Sequence, residues 1–219
     1  MDNERKIKVI LADDHAVLRE GISRYIEKKS DNIEVVGEAA DWHELIQLLR
    51  SKTRADVALL DITMPGGDGL NSVKNIRAEF PDLKIIMLSG LPEGEYAPRF
   101  LKAGASGYIS KVDSLKTIIP AIKDVAQGGI AISQDLKQKL ALDKLQIGKK
   151  PFALEALTDR EFQVLVQLGS GKSPSEVAKL LHLSSKTIST HRNSIMRKMD
   201  WKHNGEMIFY AIKKGLVTK

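Results

Sequence analysis

Side chains that can handle a phosphoryl group or a divalent cation follow short apolar runs at four places in this chain. The runs precede Asp13-Asp14, Asp61, Ser89 and Lys111. Three carboxylates in one pocket would repel one another, and a hard cation such as Mg²⁺ would relieve that repulsion while keeping coordination positions for phosphate oxygens. The hydroxyl and the ammonium group would then complete a site for a phosphoryl group on or near a carboxylate.

Each of these residues has a plainer explanation when it is taken alone. Asp13 and Asp14 could cap a helix. Ser89 could belong to a turn, and Lys111 could be a solvated surface lysine. The set becomes a site only if the chain brings the four positions together, so the secondary structure that carries them decides between the two explanations.

The first 130 residues alternate between two kinds of segment. Strand-like runs, each followed by a segment with helical spacing, have the sequences IKVILAD, IEVVGEA, ADVALLD, LKIIMLSG and SGYIS. Five such pairs predict an α/β fold, a doubly wound, five-stranded parallel sheet with helices on both faces. Strands covered on both faces are apolar throughout, which explains the run that leads into Asp61. Ligands bind at the carboxyl ends of such strands, where the four candidate positions lie.

The fourth helix of this region is the least regular. The segment after Ser89, GLPEGEYAPRF, holds two prolines and two glycines. Pro98 predicts a helix that is weakened or that starts late. Gly104 is expected to end it as a C-cap.

From residue 154 to residue 219 the chain shows four helix-like segments and no convincing strand. Capping boxes start the first two, at Thr158 with Glu161 and at Ser173 with Glu176. Pro174 occupies the first helical position of the second segment, which proline favours. This region is therefore expected to be an all-α domain.

The third of these segments has two different faces. Ile188, Ile195 and Met199 follow helical spacing on one side. The other side carries polar and basic side chains that suit base edges and phosphates: Lys186, Ser189, Thr190, Asn193 and Arg197. A second helix that presents such a face after a short turn is the helix-turn-helix arrangement. A solvated amphipathic surface helix would give the same pattern.

Charge divides the chain at about the same place. Residues 1–130 carry 18 Lys+Arg and 20 Asp+Glu, a net charge of −2, whereas residues 131–219 carry 16 and 8, a net charge of +8. The difference indicates two modules, of which the second meets a polyanion, although a Lys-rich solvated surface would also be basic. Residues 131–153 are weakly patterned and are expected to form a linker, with GKKPF (148–152) as its clearest part.

Composition limits the class of protein. No apolar run approaches the roughly 20 residues of a membrane span, and the N-terminus lacks the pattern of a signal peptide. Cysteine is absent, which excludes disulfides and thiolate metal sites. We therefore expect a cytoplasmic protein without a membrane partner.

Taken together, the motifs resemble a known family. ILADDH, LLDITMPGGDGL, IIMLSG and GASGYISK, within about residues 7–129, look like the receiver domain of bacterial two-component response regulators, whose fold is flavodoxin-like. Residues 154–219 resemble the LuxR-type helix-turn-helix domain of the NarL/FixJ response regulators. The match is looser at DWKHNGEM, where Asn204-Gly205 leaves the start of the last helix open.

The resemblance implies a role for each matching residue of the receiver. Asp61 would accept a phosphoryl group from a histidine kinase. Asp14 and Asp61 would hold Mg²⁺ together with the backbone carbonyl of Thr63, and Asp13 would help to hold it through water. Lys111 would pair with the phosphoryl group, and two further positions, Ser89 and Tyr108, would act as the switch.

For the second domain the resemblance implies contacts with double-stranded DNA. Ser189, Thr190 and Asn193 would face base edges in the major groove, and basic side chains would touch phosphates. The full set of DNA-binding residues expected from the resemblance is Lys186, Thr187, Ser189, Thr190, Arg192, Asn193 and Arg197. Phosphorylation would release this domain or promote a homodimer that binds paired half-sites.

Two other functions are compatible with parts of the pattern. A Mg²⁺-dependent phosphohydrolase could use Asp61 as a nucleophile, but such an enzyme needs a substrate pocket, and no inserted cap segment is visible. A DNA-binding protein could also carry a receiver that works without phosphorylation, although the complete acidic, hydroxyl and lysine set argues against it. We expect a transcription regulator and not an enzyme.

Overall fold

The computed structural model describes residues 5–51, 53–67, 69–145, 154 and 156–217. The chain divides into two compact units, Met1–Lys139 and Leu140–Lys219. The expected linker sequence at 148–152 lies outside the described residues. The proposed limits of the receiver (1–130), the linker (131–153) and the DNA-binding domain (154–219) stay a prediction.

The first unit is the expected five-stranded parallel sheet flanked by helices. Its strands have the order β2-β1-β3-β4-β5, and every pairing is parallel. The strands are β1 (Ile7–Ala12), β2 (Ile33–Ala39), β3 (Val57–Asp61), β4 (Lys84–Ser89) and β5 (Gly107–Ser110). The helices that follow them are α1 (Ala16–Lys29), α2 (Trp42–Arg50), α3 (Leu70–Glu79), α4 (Glu93–Ala103) and α5 (Ser114–Ala126).

Strand register places the candidate residues in one row. All five residues of β3 are buried because strands cover both of its edges and helices cover its faces. Ala12 of β1 lies beside Leu60 of β3, Asp61 lies beside Leu88 of β4, and Ser89 lies beside Ser110 of β5. The residues at or directly after these strand ends therefore meet at one edge of the sheet.

The fourth helix differs from the expectation. Instead of starting late, α4 begins at Glu93, five residues before Pro98. The backbone amides of Glu95 and Tyr96 donate to the carbonyl of Pro92 and form the first turn. A proline at position 98 removes only the hydrogen bond that would run to the carbonyl of Gly94, so the other bonds keep the helix intact. Gly104 ends the helix in the left-handed conformation (φ +108°), as predicted.

After α5 the chain returns to the sheet before it forms another helix. Ala131 makes a parallel bridge with Gly107 of β5. A side chain at position 107 would meet the Ala131 Cβ and carbonyl oxygen at 2.9 Å, so glycine is the residue that permits this approach. Helix α6 then covers Gln134–Leu145.

Helices make up the regular structure of the described part of the second unit. They are α7 (Asp159–Gly169), α8 (Pro174–Leu180), α9 (Ser185–Met199) and α10 (Asn204–Lys213). Both predicted capping boxes form, at the start of α7 and of α8. The apolar face of α9 is buried, with Ile188 and Ile195 fully covered. Across the described residues, no helix is both long enough and apolar enough to span a membrane.

The start of α10, which the sequence left open, lies at Asn204. The Glu206 carboxylate accepts hydrogen bonds from the backbone amides of Lys202 and His203, at 2.6 and 2.9 Å. These bonds satisfy amides that precede the first turn, so the helix forms although Asn204 and Gly205 are poor helix formers.

Candidate functional site

Lys111 follows the edge strand β5, and its side chain reaches the carboxylates at the ends of β1 and β3. Its Nζ atom is 2.9 Å from Asp13 Oδ2 and 2.9 Å from Asp61 Oδ2. Asp13 and Asp61 are almost completely buried, at 0% and 1% exposure. Burial lowers the pKa of Lys111, but the hydrogen bonds and charges of Asp61 and Asp13 outweigh burial and raise it. The lysine is therefore charged at neutral pH and compensates two buried carboxylates.

Asp61 is also held by the turn that follows it. The Thr63 backbone amide donates to Asp61 Oδ1 at 3.1 Å, and the Thr63 hydroxyl donates to Oδ2 at 2.9 Å. With Lys111, these contacts orient the carboxylate at the end of β3. A carboxylate held in one orientation can act as a nucleophile.

A side chain that the sequence reasoning missed completes the acidic cluster. Atoms of Asp13, Asp14, His15 and Asp61 all lie within 4.8 Å of one another. His15 Nδ1 is 2.8 Å from Asp14 Oδ1 and 3.1 Å from Asp13 Oδ1. His15 was not among the residues expected at this site. Its position directly after the two aspartates was the signal that could have placed it here.

The residues at this edge fit a hard divalent cation. Asp13 Oδ2 is buried, and among the described residues it forms an ion pair with Lys111 Nζ at 2.9 Å. A buried carboxylate oxygen with unused lone pairs, next to two further aspartates, is a donor set of the kind that Mg²⁺ prefers. The role of the Thr63 carbonyl as a further ligand stays a prediction.

Ser89 is the last residue of β4, and Tyr108 lies on the neighbouring strand β5, beside Met87. The Ser89 hydroxyl, 1% exposed, accepts a hydrogen bond from the Leu91 amide at 2.9 Å. The Tyr108 hydroxyl donates to the Leu91 carbonyl at 2.9 Å, and its ring packs against Phe100. Burial raises the pKa of the Tyr108 phenol, so the group stays protonated. This structure holds the Tyr108 side chain inside the receiver, at 2% exposure.

The second unit presents the expected polar face of α9 to solvent. Five of the candidate DNA-binding residues are exposed along it: Lys186, Ser189, Thr190, Asn193 and Arg197. The hydroxyls of Ser189 and Thr190 donate to carbonyls one turn earlier in the same helix. Their oxygen atoms keep lone pairs that can accept further hydrogen bonds.

The two remaining candidates have partners within the second unit. The Thr187 amide donates to the N-cap residue Ser184 at 3.0 Å, so Thr187 helps to start α9. Arg192 Nε donates to Asn204 Oδ1 at 2.7 Å, which links α9 to the first residue of α10. No sequence pattern had indicated the contact between Arg192 and Asn204.

A partly buried ion pair joins α9 to α7. Lys198 Nζ lies 2.7 Å from Glu161 Oε2, and Glu161 is only 4% exposed. Glu161 also accepts from the Thr158 amide in the capping box of α7. Burial raises the pKa of Glu161, but hydrogen bonds from Lys198, Ser194 and Thr158 outweigh it and lower the pKa to about 2.

Comparison with known families agrees with this division of the chain. Residues 9–123 match the model of the response regulator receiver domain. Residues 155–211 match the model of bacterial regulatory proteins of the luxR family. The first match contains the row of strand ends, and the second contains helices α7 to α9 and most of α10.

Relatives cover almost the whole chain. Response regulator UvrY of Escherichia coli is 33% identical over 210 residues, 96% of this chain and 95% of its own length. Oxygen regulatory protein NreC of Staphylococcus epidermidis is 35% identical over 220 residues, 96% of this chain and 99% of its own length.

Solved structures of RcsB from Salmonella typhimurium are also similar. One has a TM-score of 0.76 at 29% identity and covers 96% of this chain and 99% of its own. Another has a TM-score of 0.74 at 29% identity and covers 94% of this chain and 98% of its own. It shows RcsB bound to a promoter in the presence of a phosphomimetic. With both domain models and near full-length relatives matched, the chain belongs to the NarL/FixJ family of two-component response regulators.

Proposed function

We propose that this chain is a phosphorylation-dependent transcription factor. Asp61 accepts a phosphoryl group from a histidine kinase with the help of Mg²⁺, and the second domain then binds promoter DNA, as a homodimer. The observation that carries the proposal is the setting of Asp61. It is a buried carboxylate at a strand end, oriented by Thr63 and paired with Lys111.

The chemistry is a transfer between two side chains. The P–N bond of the kinase phosphohistidine breaks, a P–O bond to the Asp61 carboxylate forms, and the released imidazole takes up a proton from solvent. Lys111 neutralises charge on the transferred group because its ammonium already contacts Asp61 Oδ2. Asp13, Asp14, Asp61 and the Thr63 carbonyl would hold Mg²⁺, which supplies further positive charge beside the phosphoryl oxygens.

Ser89 and Tyr108 convert this event into a change of shape. A phosphoryl group adds about −1.5 to −2 charge and new acceptor oxygens, to which the Ser89 hydroxyl donates. This donation draws Ser89 Oγ towards Asp61 and away from the Leu91 amide that it now contacts. The phosphoryl group shifts the population only by its different interaction energy with the two states.

The second domain supplies the output. Its exposed α9 face carries Lys186 and Arg197 beside hydroxyl and amide groups, a composition that suits phosphates and base edges. RcsB, the structural relative, has been solved as dimers bound to DNA. This likeness supports double-stranded DNA and a homodimer as partners of this chain. A regulator that binds DNA acts in the compartment that holds DNA, so we place it in the bacterial cytoplasm.

One experiment tests the phosphoryl acceptor, the requirement for Mg²⁺ and the formation of a dimer together. Acetyl phosphate is added to the wild type, Asp61→Asn and Asp82→Asn, with Mg²⁺ or with EDTA, and intact mass and size are measured. Asp82 is an exposed aspartate of a loop and serves as the matched control. We expect one added phosphoryl group and a dimer for the wild type and Asp82→Asn, with Mg²⁺ only. An equal mass gain in Asp61→Asn would refute the proposed acceptor, and sustained release of phosphate by the wild type would favour a phosphohydrolase.

A further inference from the structure

Residues 131–136, which follow the last receiver helix, are attached to the receiver at two points. The first point is Ala131. The Tyr108 amide donates to the Ala131 carbonyl at 2.7 Å, and the Ala131 amide donates to the Ser106 carbonyl at 3.1 Å. The segment after α5 is therefore bonded to the strand that carries the switch tyrosine.

The second point is a carboxylate on α4. Glu93 Oε1 accepts a hydrogen bond from the Ser133 amide at 2.8 Å, across 40 residues of sequence. The Ser133 hydroxyl in turn accepts from the Leu136 amide at 3.1 Å and so caps the start of α6. Leu136 is buried, at 3% exposure. Glu93 thus holds the residue at which α6 begins.

Both attachment points are connected to the Ser89 hydroxyl through Leu91. The Leu91 amide donates to that hydroxyl, and the Leu91 carbonyl accepts from the Tyr108 hydroxyl, each at 2.9 Å. Glu93 follows Leu91 by two residues and begins α4. The short segment Leu91–Glu93 therefore contacts Ser89 at one end and the start of α6 at the other. Physical continuity of this kind is a route for coupling, and coupling itself must be measured.

We propose that Glu93 is a positioning residue that latches the start of α6 to the receiver and that phosphorylation of Asp61 opens this latch. When Ser89 turns to the phosphoryl group, Leu91 loses the acceptor of its amide, and the segment Leu91–Glu93 moves with α4. The Ser133 amide then loses the Glu93 carboxylate, and the first turn of α6 becomes free to open. The opening half of this inference rests on the proposed function.

The test is amide hydrogen exchange of the full-length chain, measured residue by residue by NMR at Ser133–Leu136. The phosphoryl group is mimicked with beryllofluoride and Mg²⁺. The variants are Glu93→Ala, Glu93→Gln and, as the matched control, Glu95→Ala, which removes the same charge from the same turn of α4. A charge-assisted hydrogen bond of ordinary strength corresponds to an exchange about tenfold faster when it is lost.

We expect Glu93→Ala to exchange about tenfold faster than the wild type at Ser133 without the mimic. Glu93→Gln, whose amide oxygen still accepts a hydrogen bond, gives a smaller increase, and Glu95→Ala gives none. Beryllofluoride accelerates exchange in the wild type to the rate of Glu93→Ala and adds nothing in that variant. A merely local structural role of Glu93 would not remove the response to the mimic.

Two results would overturn the latch. One is an exchange rate at Ser133 in Glu93→Ala equal to that of the wild type. The other is a response to beryllofluoride that is as large in Glu93→Ala as in the wild type. A wild type that acetyl phosphate does not modify at Asp61 would instead refute the proposed function and the opening step with it. The rate of Glu93→Ala without the mimic would still decide whether Glu93 holds α6.

Discussion

The acidic pocket of the receiver and the outer face of α9 both carry charged residues, but the charges of the pocket are buried and those of α9 are exposed. In the pocket, Asp13, Asp61 and Lys111 come from three distant parts of the chain and are at most 17% exposed. On α9, Lys186 and Arg197 belong to one helix and are open to solvent.

The difference in burial explains how well each region tolerates substitution. A buried charge must be compensated by a partner, so a change in the pocket alters stability and chemistry together. Water compensates an exposed charge, so the side chains of the α9 face can change at little cost to the fold. The pocket therefore tolerates few substitutions, whereas the α9 face tolerates many.

The largest effect is expected when Lys111 is replaced by alanine. The change leaves Asp13 and Asp61 buried without their shared cation, and we expect the receiver to lose about 3 kcal/mol of unfolding free energy without Mg²⁺. Urea unfolding is followed by Trp42 fluorescence in a Trp201→Phe background, because the two tryptophans lie in different units. Lys102→Ala, in the last turn of α4, is the control.

Addition of Mg²⁺ should recover part of this loss, since a bound cation stabilises the folded state by mass action. If Lys111→Ala is as stable as the wild type in EDTA, charge compensation does not govern the pocket, and the contrast with α9 fails.

The next effect is expected at Glu161, the buried carboxylate behind α9. Its pKa is lowered from its ordinary value of 4.5 to about 2, so it stabilises the fold above pH 4.5 and this contribution is lost as the pH falls towards 2. Glu161→Gln keeps part of the hydrogen bonding, and we expect it to lose about 2 kcal/mol at pH 7. Unfolding is followed by Trp201 in a Trp42→Phe background.

The pH profile separates this role from packing. The second unit of the wild type should lose stability steeply between pH 4.5 and 2, and Glu161→Gln should show a flatter profile there. If the unfolding free energies of the wild type and of Glu161→Gln change equally with pH, the charge of Glu161 beside Lys198 does not stabilise α9.

The sequence predicted the pocket well because its geometry follows from chain order. Once five strands are parallel, the residues at their carboxyl ends must share one edge of the sheet. Chain order alone therefore predicts that Asp61 and Lys111 lie close together. His15 was missed, although it directly follows the two aspartates, because the contact of its ring with them depends on the orientation of its side chain. Pro98 was overestimated because a single lost hydrogen bond does not outweigh the rest of α4.

The sequence predicted α9 only in part. Helical spacing is local, so it separated the buried Ile188 side from the exposed Arg197 side. The contacts of Glu161 with Lys198 and of Arg192 with Asn204 join different helices, and they depend on packing that no local pattern reports.

A smaller effect, on binding alone, is expected at Arg197. Arg197→Ala should weaken binding to a mixed-sequence duplex by about fivefold, equivalent to about 1 kcal/mol. It should also reduce the slope of log K against log salt by about 0.9, the value for one phosphate contact. Unfolding free energy should stay within about 0.5 kcal/mol of the wild type. Fluorescence anisotropy over a salt series measures both quantities. An unchanged slope would remove Arg197 from the DNA interface.

The control for that measurement is Lys28→Ala, which removes a cation from the last turn of α1 in the receiver. It should leave both affinity and slope unchanged. A similar loss in this variant would mean that net charge alone, and not the α9 face, sets the affinity for DNA.

The smallest effect is expected at Asn204. As in the pocket, a side-chain oxygen here orients a cation, the guanidinium of Arg192. Asn204 Oδ1 accepts from Arg192 Nε and so orients the guanidinium, whose Nη1 also lies 3.5 Å from Asn193 Oδ1. We predict that a guanidinium held in this way donates its remaining N–H groups to a phosphate. We expect Asn204→Ala to weaken binding by about threefold, less than loss of a whole contact. Because Asn204 acts through Arg192, the same change should have no effect in an Arg192→Ala background. A double-mutant cycle by anisotropy measures this coupling, and additive losses would show that each residue binds DNA independently.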